Sequence, residues 1–178
     1  MDKPMSNFAF KFMSFGYKFR DLCLPRMNIL KEVGIKSGFS VLDYGCGPGG
    51  YTTAAAQLVT ESGKVYALDI QPLAVKRVQN ITKKQKIANV ETILSDCATD
   101  LPDESIDVVL LYDIFHGLSQ PDEVLTELHR VLKPDGILSF NDHHIKEEKE
   151  IISKITGKGL FTLSQKGERV YNFSKAKS

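Results

Sequence analysis

The sequence predicts an α/β fold with a mostly parallel sheet and helices on both faces. From Phe39 onward, short runs rich in β-branched and aromatic residues alternate with helical patterns. Strands that alternate with helices are joined by right-handed crossovers, which produce a parallel sheet. The first predicted strand leads into a glycine-rich loop at residues 45–50, and the chain closes with two β segments separated by residues 166–168. This last pattern is typical of an antiparallel hairpin.

Each element is assigned from its local pattern. The run at residues 106–112 is almost continuously apolar, as expected of a strand buried on both faces. Pro72 suits the first turn of a helix, since its missing N–H would have no partner there. The predicted apolar face of that helix consists of Leu73, Val75, Val78 and Ile81. We predict strands at residues 39–44, 64–69, 90–94, 106–112, 137–140, 160–165 and 169–173, and helices at 52–59, 72–86, 121–132 and 146–156.

Length and composition predict one globular domain in a reducing compartment. The chain has 178 residues, enough for one sizeable core but not for a second full domain. Its formal net charge of +1 gives no reason to expect nucleic acid as a partner. Cys23, Cys46 and Cys97 are odd in number and contain no C-x-x-C pair, which argues against disulfides or structural zinc. No apolar run suggests a membrane span or a signal peptide, so we expect a cytoplasmic monomer or homodimer.

The glycine-rich loop indicates a nucleotide-like ligand. Glycines allow a tight turn and let a ligand approach the backbone, and the following helix start offers free N–H groups. The spacing Gly45-x-Gly47-x-x-Gly50 also satisfies the nicotinamide-dinucleotide fingerprint, with Asp69 about 20 residues further on as the ribose acid. The loop alone therefore leaves the cofactor open.

Three acidic residues separate the alternatives. Asp43, Asp69 and Asp96 fall at the carboxyl ends of successive predicted strands, where open α/β sheets bind ligands. Asp43 would repel a pyrophosphate, but it can orient a zwitterion that carries an ammonium and a sulfonium. Asp69 can accept hydrogen bonds from both ribose hydroxyls, and Asp96 can accept one from an adenine amino group. Each acid could instead be a turn or capping residue.

The ordered motifs resemble the class I S-adenosylmethionine-dependent methyltransferases, specifically the small enzymes of the ubiquinone/menaquinone-biosynthesis type. The resemblance covers roughly residues 39–140. The segments that carry it are residues 41–49, 65–70, 95–97, 101–109 and 129–136. It implies a Rossmann-like fold with a seven-stranded sheet in the order 3-2-1-4-5-7-6 and an antiparallel last strand. It also implies S-adenosylmethionine as the cofactor and methyl transfer as the reaction.

The predicted cofactor contacts lie on the matched motifs. They are Asp43, Gly45, Cys46, Gly47, Gly49, Asp69, Ile70, Asp96, Cys97 and Tyr112. Without an added recognition domain, we expect a small-molecule acceptor. Two other functions stay open: a module or partner subunit that binds the cofactor without catalysis, and a nicotinamide-dependent oxidoreductase, which the C-terminal hairpin disfavours.

Catalytic candidates follow the fourth and fifth predicted strands. A sulfonium methyl group is already electrophilic, so the protein must mainly position the acceptor, and a base is needed only if the acceptor has a proton to lose. His116 could take that proton near neutral pH, and Asp113 is an equal candidate, although both could have structural roles. His116 and His143 are candidate substrate contacts. His143 and His144 should point to opposite sides of an extended segment, so no metal site is predicted.

Residues 1–37 are predicted to form a helical extension before the α/β body at residues 38–178, within one domain. Four phenylalanines share one helical stripe: Phe8, Phe12, Phe15 and Phe19. Phe10 and Tyr17 broaden this stripe, which we expect to pack on the body. By analogy with the similar methyltransferases, it could instead form a lid in which Tyr17 contacts the substrate. An aromatic and basic helix could also touch a membrane or a lipophilic acceptor.

Overall fold

The computed structural model describes residues 4–10 and 26–177. In this part of the chain the strands are β1 (Ser40–Tyr44), β2 (Lys64–Asp69), β3 (Val90–Leu94), β4 (Ile106–Tyr112), β5 (Leu132–Asn141), β6 (Phe161–Lys166) and β7 (Tyr171–Lys175). The helices are α1 (Arg26–Lys31), α2 (Gly50–Val59), α3 (Pro72–Gln85), α4 (Pro121–Val131) and α5 (Glu148–Thr156). A short 3-10 helix spans Phe115–Gly117.

The strands form one seven-stranded sheet in the order β3-β2-β1-β4-β5-β7-β6, which confirms the implied topology. Strands β1 to β5 pair in parallel. The last strand, β7, is antiparallel to both β5 and β6, as predicted. The order of the strands changes direction at β1: β2 and β3 lie on one side of it, and β4 and β5 lie on the other. At this point the carboxyl ends of β1 and β4 open into a crevice.

Helices cover both faces of the sheet. Helices α4 and α5 pack on one face through residues such as Leu128 and Ile155, and α1 and α2 pack on the other through Leu30 and Ala55. Strand β4 lies between β1 and β5 and supplies alternate side chains to the two cores, with Val109 and Leu111 on one side and Val108 and Leu110 on the other. Its apolar run therefore reflects burial on both faces, as expected.

Strand β5 begins at Leu132, whereas the sequence predicted its start at residue 137. Leu132 already pairs with Ile106, and the register then shifts so that Ile137 pairs with Val108. The intervening residues 133–136 form a bulge in the strand. Their turn-forming composition was interpreted as a stop, but it accommodates extra residues within a strand that continues.

Two smaller predictions were wrong. Helix α3 buries Ala74, Val78 and Thr82, so only Val78 of the four predicted core residues is buried. The three buried side chains are small and four residues apart, which lets the helix approach the sheet closely. The C-terminal turn also lies later than predicted, since the Gly167 N–H donates to the Val170 carbonyl over 2.8 Å and β7 starts at Tyr171.

The N-terminal prediction can be compared with the structure only at residues 4–10. Residues 7–10 are helical, and Phe10 is buried, whereas Phe8 is 82% exposed. The expected packing of Phe8 on the body was therefore wrong, because this turn meets the body through Phe10. Phe12, Phe15, Tyr17, Phe19 and Cys23 lie outside the described residues. Among the described helices, none is long and apolar enough to cross a bilayer.

Candidate functional site

A cavity of about 300 Å³ lies at the carboxyl ends of β1, β2 and β4. Eight of the ten predicted cofactor residues line it: Asp43, Gly45, Cys46, Gly47, Asp69, Ile70, Asp96 and Tyr112. Gly49 is the loop residue directly before α2 and does not line the cavity, and Cys97 lines a separate surface depression. The catalytic candidates Asp113 and His116 also line the cavity, whereas His143 does not. Tyr17 lies outside the described residues.

The glycine loop follows the end of β1 closely. Gly45 has a φ of +81°, in the left-handed region that favours glycine. A Cβ on Gly45 would lie 2.7 Å from Ile114, so this turn leaves no space for a side chain. The N–H groups of Gly45 and Cys46 donate to the Leu68 carbonyl over 2.8 and 2.9 Å, which ties the loop to β2. The backbone of this loop therefore forms one wall of the cavity.

Asp69 connects the end of β2 to this loop. Its Oδ2 accepts a hydrogen bond from the Gly47 N–H over 2.8 Å, and its Oδ1 accepts one from the Gln71 N–H over 2.7 Å. Burial raises the pKa of Asp69, and these two donors oppose that effect. A carboxylate oxygen can accept more than one hydrogen bond, so both oxygens can also accept from ribose hydroxyls.

Asp43 is buried at the end of β1. Its Oδ2 accepts a hydrogen bond from Thr52 Oγ1 over 2.6 Å. Burial raises the pKa of Asp43 to about 6, although the Thr52 hydrogen bond and the positive charge of Arg26 act to lower it. A cationic group in the cavity would favour the ionised carboxylate and recover part of the cost of burying it. Asp43 therefore fits a ligand that carries an ammonium or a sulfonium.

Sequence analysis missed Arg26 as a residue of the site. The side chain is buried, lines the cavity and places its guanidinium carbon 4.4 Å from the centroid of the Tyr51 ring. A Cβ on Gly50 would collide with this guanidinium, so the third glycine of the loop makes room for the arginine. Arg26 precedes the first strand, and a single sequence contains no pattern that connects it to the loop.

Aromatic residues shape the other walls. The Tyr112 hydroxyl lies 2.8 Å from Ser139 Oγ, and its ring meets the Tyr51 ring edge-on with centroids 4.7 Å apart. Burial raises the pKa of Tyr112, so this hydroxyl stays protonated. On the opposite side, the Tyr44 hydroxyl donates to the carbonyls of Asp96 and Cys97, both over 3.4 Å. The backbone carbonyl of Cys97 therefore helps to position the turn that carries Asp96.

Two histidine–aspartate pairs connect the segments that follow β4 and β5. His116 Nδ1 lies 2.9 Å from Asp142 Oδ2, and the His116 backbone N–H donates to the same oxygen over 3.0 Å. In the second pair, His143 Nδ1 lies 2.6 Å from Asp113 Oδ1. Each pair therefore joins one residue after β4 to one residue after β5. When Nδ1 of His116 donates to Asp142, its Nε2 bears the lone pair that can accept a hydrogen bond.

The expected orientation of the adjacent histidines was wrong. The rings of His143 and His144 lie on the same side, with centroids 4.0 Å apart, and the His144 ring also lies 3.9 Å from that of His116. The cause is a turn, closed by a hydrogen bond of 3.1 Å from the Ile145 N–H to the Asp142 carbonyl, where an extended segment was assumed. The argument against a metal site depended on that assumption and no longer holds.

Comparison with known proteins identifies the family. A methyltransferase-domain family model matches residues 35–175. A demethylmenaquinone methyltransferase from Geobacillus stearothermophilus is 32% identical over 113 residues, which are 63% of this chain and 48% of the relative. A ubiquinone/menaquinone biosynthesis C-methyltransferase from Pseudoalteromonas translucida is 30% identical over 147 residues, which are 80% of this chain and 55% of the relative. The chain thus spans about half the length of these curated relatives.

A solved structure supports the same assignment. The S-adenosylmethionine-dependent methyltransferase of Aquifex aeolicus superposes with a TM-score of 0.73 at 30% identity, over 83% of this chain and 87% of the other. Together with the strand order and the glycine loop, these matches show that the chain belongs to the class I S-adenosylmethionine-dependent methyltransferases. S-adenosylmethionine is the cofactor of this class, and the acidic, backbone-lined cavity fits it.

Proposed function

We propose that this chain transfers a methyl group from S-adenosylmethionine to a small acceptor, with a quinone-type ring as the first candidate. The observation that carries the proposal is the cavity in which Asp43, Asp69 and Asp96, from three successive strand ends, surround one glycine loop. The relatives whose names refer to demethylmenaquinone and ubiquinone biosynthesis supply the acceptor class. Apolar and aromatic side chains also line the cavity, among them Phe10, Tyr51 and Ile114, and these suit an aromatic ring.

Each group of the cofactor has a candidate partner in the chain. Asp69 would accept hydrogen bonds from the ribose hydroxyls, and Asp96 would accept one from the adenine amino group. Asp43, with backbone groups of Gly45 and Gly47, would bind the ammonium of the amino-acid portion. Arg26 is the cation on the same side of the cavity, and it is suited to the carboxylate of that portion. When bound, S-adenosylmethionine supplies a methyl group on a sulfonium, which is electrophilic without further activation.

The acceptor would enter from the side of His116 and Asp113. His116 lines the cavity, and Asp142 fixes its ring through Nδ1, so Nε2 can hydrogen-bond an acceptor hydroxyl.

Met5 and Phe10 line the same cavity, and the Met5 carbonyl accepts a hydrogen bond from Gln71 Nε2 over 2.6 Å. Residues 4–10 would therefore cover bound ligands. Tyr17 and His143 remain candidate acceptor contacts.

The first experiment measures thermal stability with S-adenosylhomocysteine, S-adenosylmethionine and NAD in turn. A ligand at 100 times its dissociation constant should stabilise the fold by about 2.7 kcal/mol. We expect stabilisation by the first two, and its loss in Asp69→Ala. Stabilisation by NAD alone would overturn the proposal in favour of an oxidoreductase.

Turnover then separates an enzyme from a binding module. Formation of S-adenosylhomocysteine is measured with reduced quinones and with other aromatic acceptors. We expect His116→Gln to lower kcat at least tenfold while the dissociation constant for S-adenosylhomocysteine stays unchanged. Cofactor binding without turnover on any acceptor would instead favour the non-catalytic module.

A further inference from the structure

The segments after β4 and β5 bring together a mixed set of carboxylate and imidazole groups. One ligand atom from each of Asp113, Asp142 and His143 lies within 4.8 Å of the other two. The backbone positions are fixed, because the Asp113 N–H donates to the Asn141 carbonyl over 2.8 Å at the end of the parallel pair β4–β5. Three candidate ligands from two adjacent strand ends are thus already close together.

We propose that Asp113, Asp142 and His143 bind a divalent transition-metal ion at the wall of the cofactor cavity. The donor set of two carboxylates and one imidazole suits zinc, cobalt, nickel, manganese or iron(II). An imidazole donor disfavours magnesium and calcium, which prefer oxygen ligands throughout. The carboxyl groups of Asp113 and Asp142 also lie close enough together for one divalent cation to bind an oxygen of each.

Of the three candidate ligands, the His143 side chain is the one most able to move when an ion binds. The 2.6 Å between His143 Nδ1 and Asp113 Oδ1 is a hydrogen-bond distance, whereas an ion about 2.0–2.2 Å from each atom requires a wider separation. The His143 side chain is 57% exposed and can rotate, while those of Asp113 and Asp142 are 11% and 0% exposed. Metal binding would therefore replace this hydrogen bond: the imidazole carries its proton on Nε2, any further proton leaves to solvent, and the Nδ1 lone pair binds the ion.

The surrounding residues orient the ligands as they do in other metal sites. The backbone N–H groups of His116 and His144 donate to Asp142 over 3.0 and 3.1 Å, and the His116 ring donates to it as well. The His144 ring lies between those of His116 and His143. Such outer partners fix the direction of a ligand carboxylate, and their loss weakens metal affinity by about 10- to 100-fold.

The position of the ion suggests what it would do. Asp113 lines the cavity, so an ion bound to it would lie where the acceptor enters. There it could bind an acceptor oxygen as a Lewis acid and lower the pKa of that hydroxyl. This catalytic role depends on the proposed methyl transfer, whereas metal binding itself does not.

The test uses the full chain without a polyhistidine tag, stripped with a chelator. Calorimetric titration with Zn²⁺ should show one site with micromolar or tighter affinity, and Mg²⁺ should not compete for it. Titration with Co²⁺ should produce visible d–d absorption bands of nitrogen and oxygen ligation. His143→Ala should weaken Zn²⁺ binding at least tenfold, and Asp142→Asn should do the same.

The matched control is His129→Ala. It removes a histidine of α4 that packs against Phe161 of β6, away from the cluster, and it should leave metal affinity unchanged. Binding of S-adenosylhomocysteine is measured on every variant and reports whether the site remains folded. A wild-type chain that binds S-adenosylhomocysteine but no metal would overturn this inference and leave the proposed function intact. Equal Zn²⁺ affinity in the wild type and His143→Ala would overturn it as well.

Discussion

Asp69 Oδ2 and the Gly47 N–H are joined by a hydrogen bond of 2.8 Å, which fixes the glycine loop after β1 to the end of β2. The same carboxylate accepts the Gln71 N–H, so it also fixes the start of α3. One buried acid therefore shapes the cavity wall and presents oxygen atoms to a ligand. The structural and ligand-binding roles of Asp69 act together, and a substitution should remove both.

We expect Asp69→Ala to weaken S-adenosylhomocysteine binding at least 100-fold, because two charge-assisted hydrogen bonds of about 1.5–3 kcal/mol each would be lost. Asp69→Asn keeps one acceptor oxygen and should have an intermediate effect. Calorimetric titration measures both. Glu91→Ala is the control, since it removes an acid whose pair with Lys64 is exposed and contributes little to stability. Affinity within threefold of wild type in Asp69→Ala would contradict the assignment.

The close turn at Gly45 allows a test of steric fit. Gly45 and Gly34 share a φ of +81°, but a Cβ on Gly45 would lie 2.7 Å from Ile114, whereas one on Gly34 would have no heavy atom within 4 Å. Gly34→Ala should therefore cost about 1 kcal/mol of unfolding free energy from backbone strain alone. Gly45→Ala should cost at least about 1 kcal/mol more, because overpacking adds to that strain. Chemical denaturation measures the difference, and equal costs would show that the loop relaxes.

The buried hydroxyl pair of Tyr112 and Ser139 predicts a non-additive double mutant. Their oxygens lie 2.8 Å apart inside the fold, so either Tyr112→Phe or Ser139→Ala leaves one buried hydroxyl without this partner. Each single substitution should cost about 1–2 kcal/mol of unfolding free energy, and the double substitution should cost less than the sum. Urea denaturation of the wild type, the two single variants and the double variant measures the four free energies of unfolding. Additive costs would mean that the two hydroxyls do not depend on each other.

Much of the fold follows from local sequence patterns. The bounds of β2, β3 and β4 match the prediction, because each is a short β-rich run with clear ends. The start of β5 was missed because turn-forming residues also occur in bulges, and only pairing with β4 distinguishes the two. The buried face of α3 was missed because close helix–sheet packing selected Ala74 and Thr82 over larger apolar residues.

The candidate site was predictable where it depends on strand ends. A parallel sheet brings the carboxyl ends of its strands together, so Asp43, Asp69 and Asp96 could be placed around one crevice. Arg26 could not, since its approach to Gly50 depends on how α1 packs. The crossed histidine–aspartate pairs depend on a four-residue turn after β5, and adjacent histidines in a sequence do not reveal that turn.

The buried carboxyl group of Asp43 predicts how stability varies with pH. Burial raises its pKa to about 6, from an ordinary value of 3.8. The unfolded chain therefore releases this proton at lower pH than the folded chain does. The contribution of Asp43 to the free energy of unfolding is therefore largest below its ordinary pKa, and it is lost as pH rises through about 6. A shift of this size corresponds to a loss on the order of 2–3 kcal/mol in unfolding free energy between pH 4 and pH 7.

We expect Asp43→Asn to be more stable than the unliganded wild type at pH 8, with the difference shrinking toward pH 4. A cationic ligand favours the ionised carboxylate, so the affinity of the wild type for S-adenosylhomocysteine should rise as pH increases from 5 to 7.5. Calorimetry in two buffers of different ionisation enthalpy should show proton release on binding near pH 6. Asp43→Asn should bind more weakly and lack both pH effects. Thr52→Val is the companion variant: it removes the hydrogen bond that opposes the shift, so it should raise the pKa of Asp43 and move the rise in affinity to higher pH. An unchanged pH profile in Asp43→Asn would assign the titration to another group.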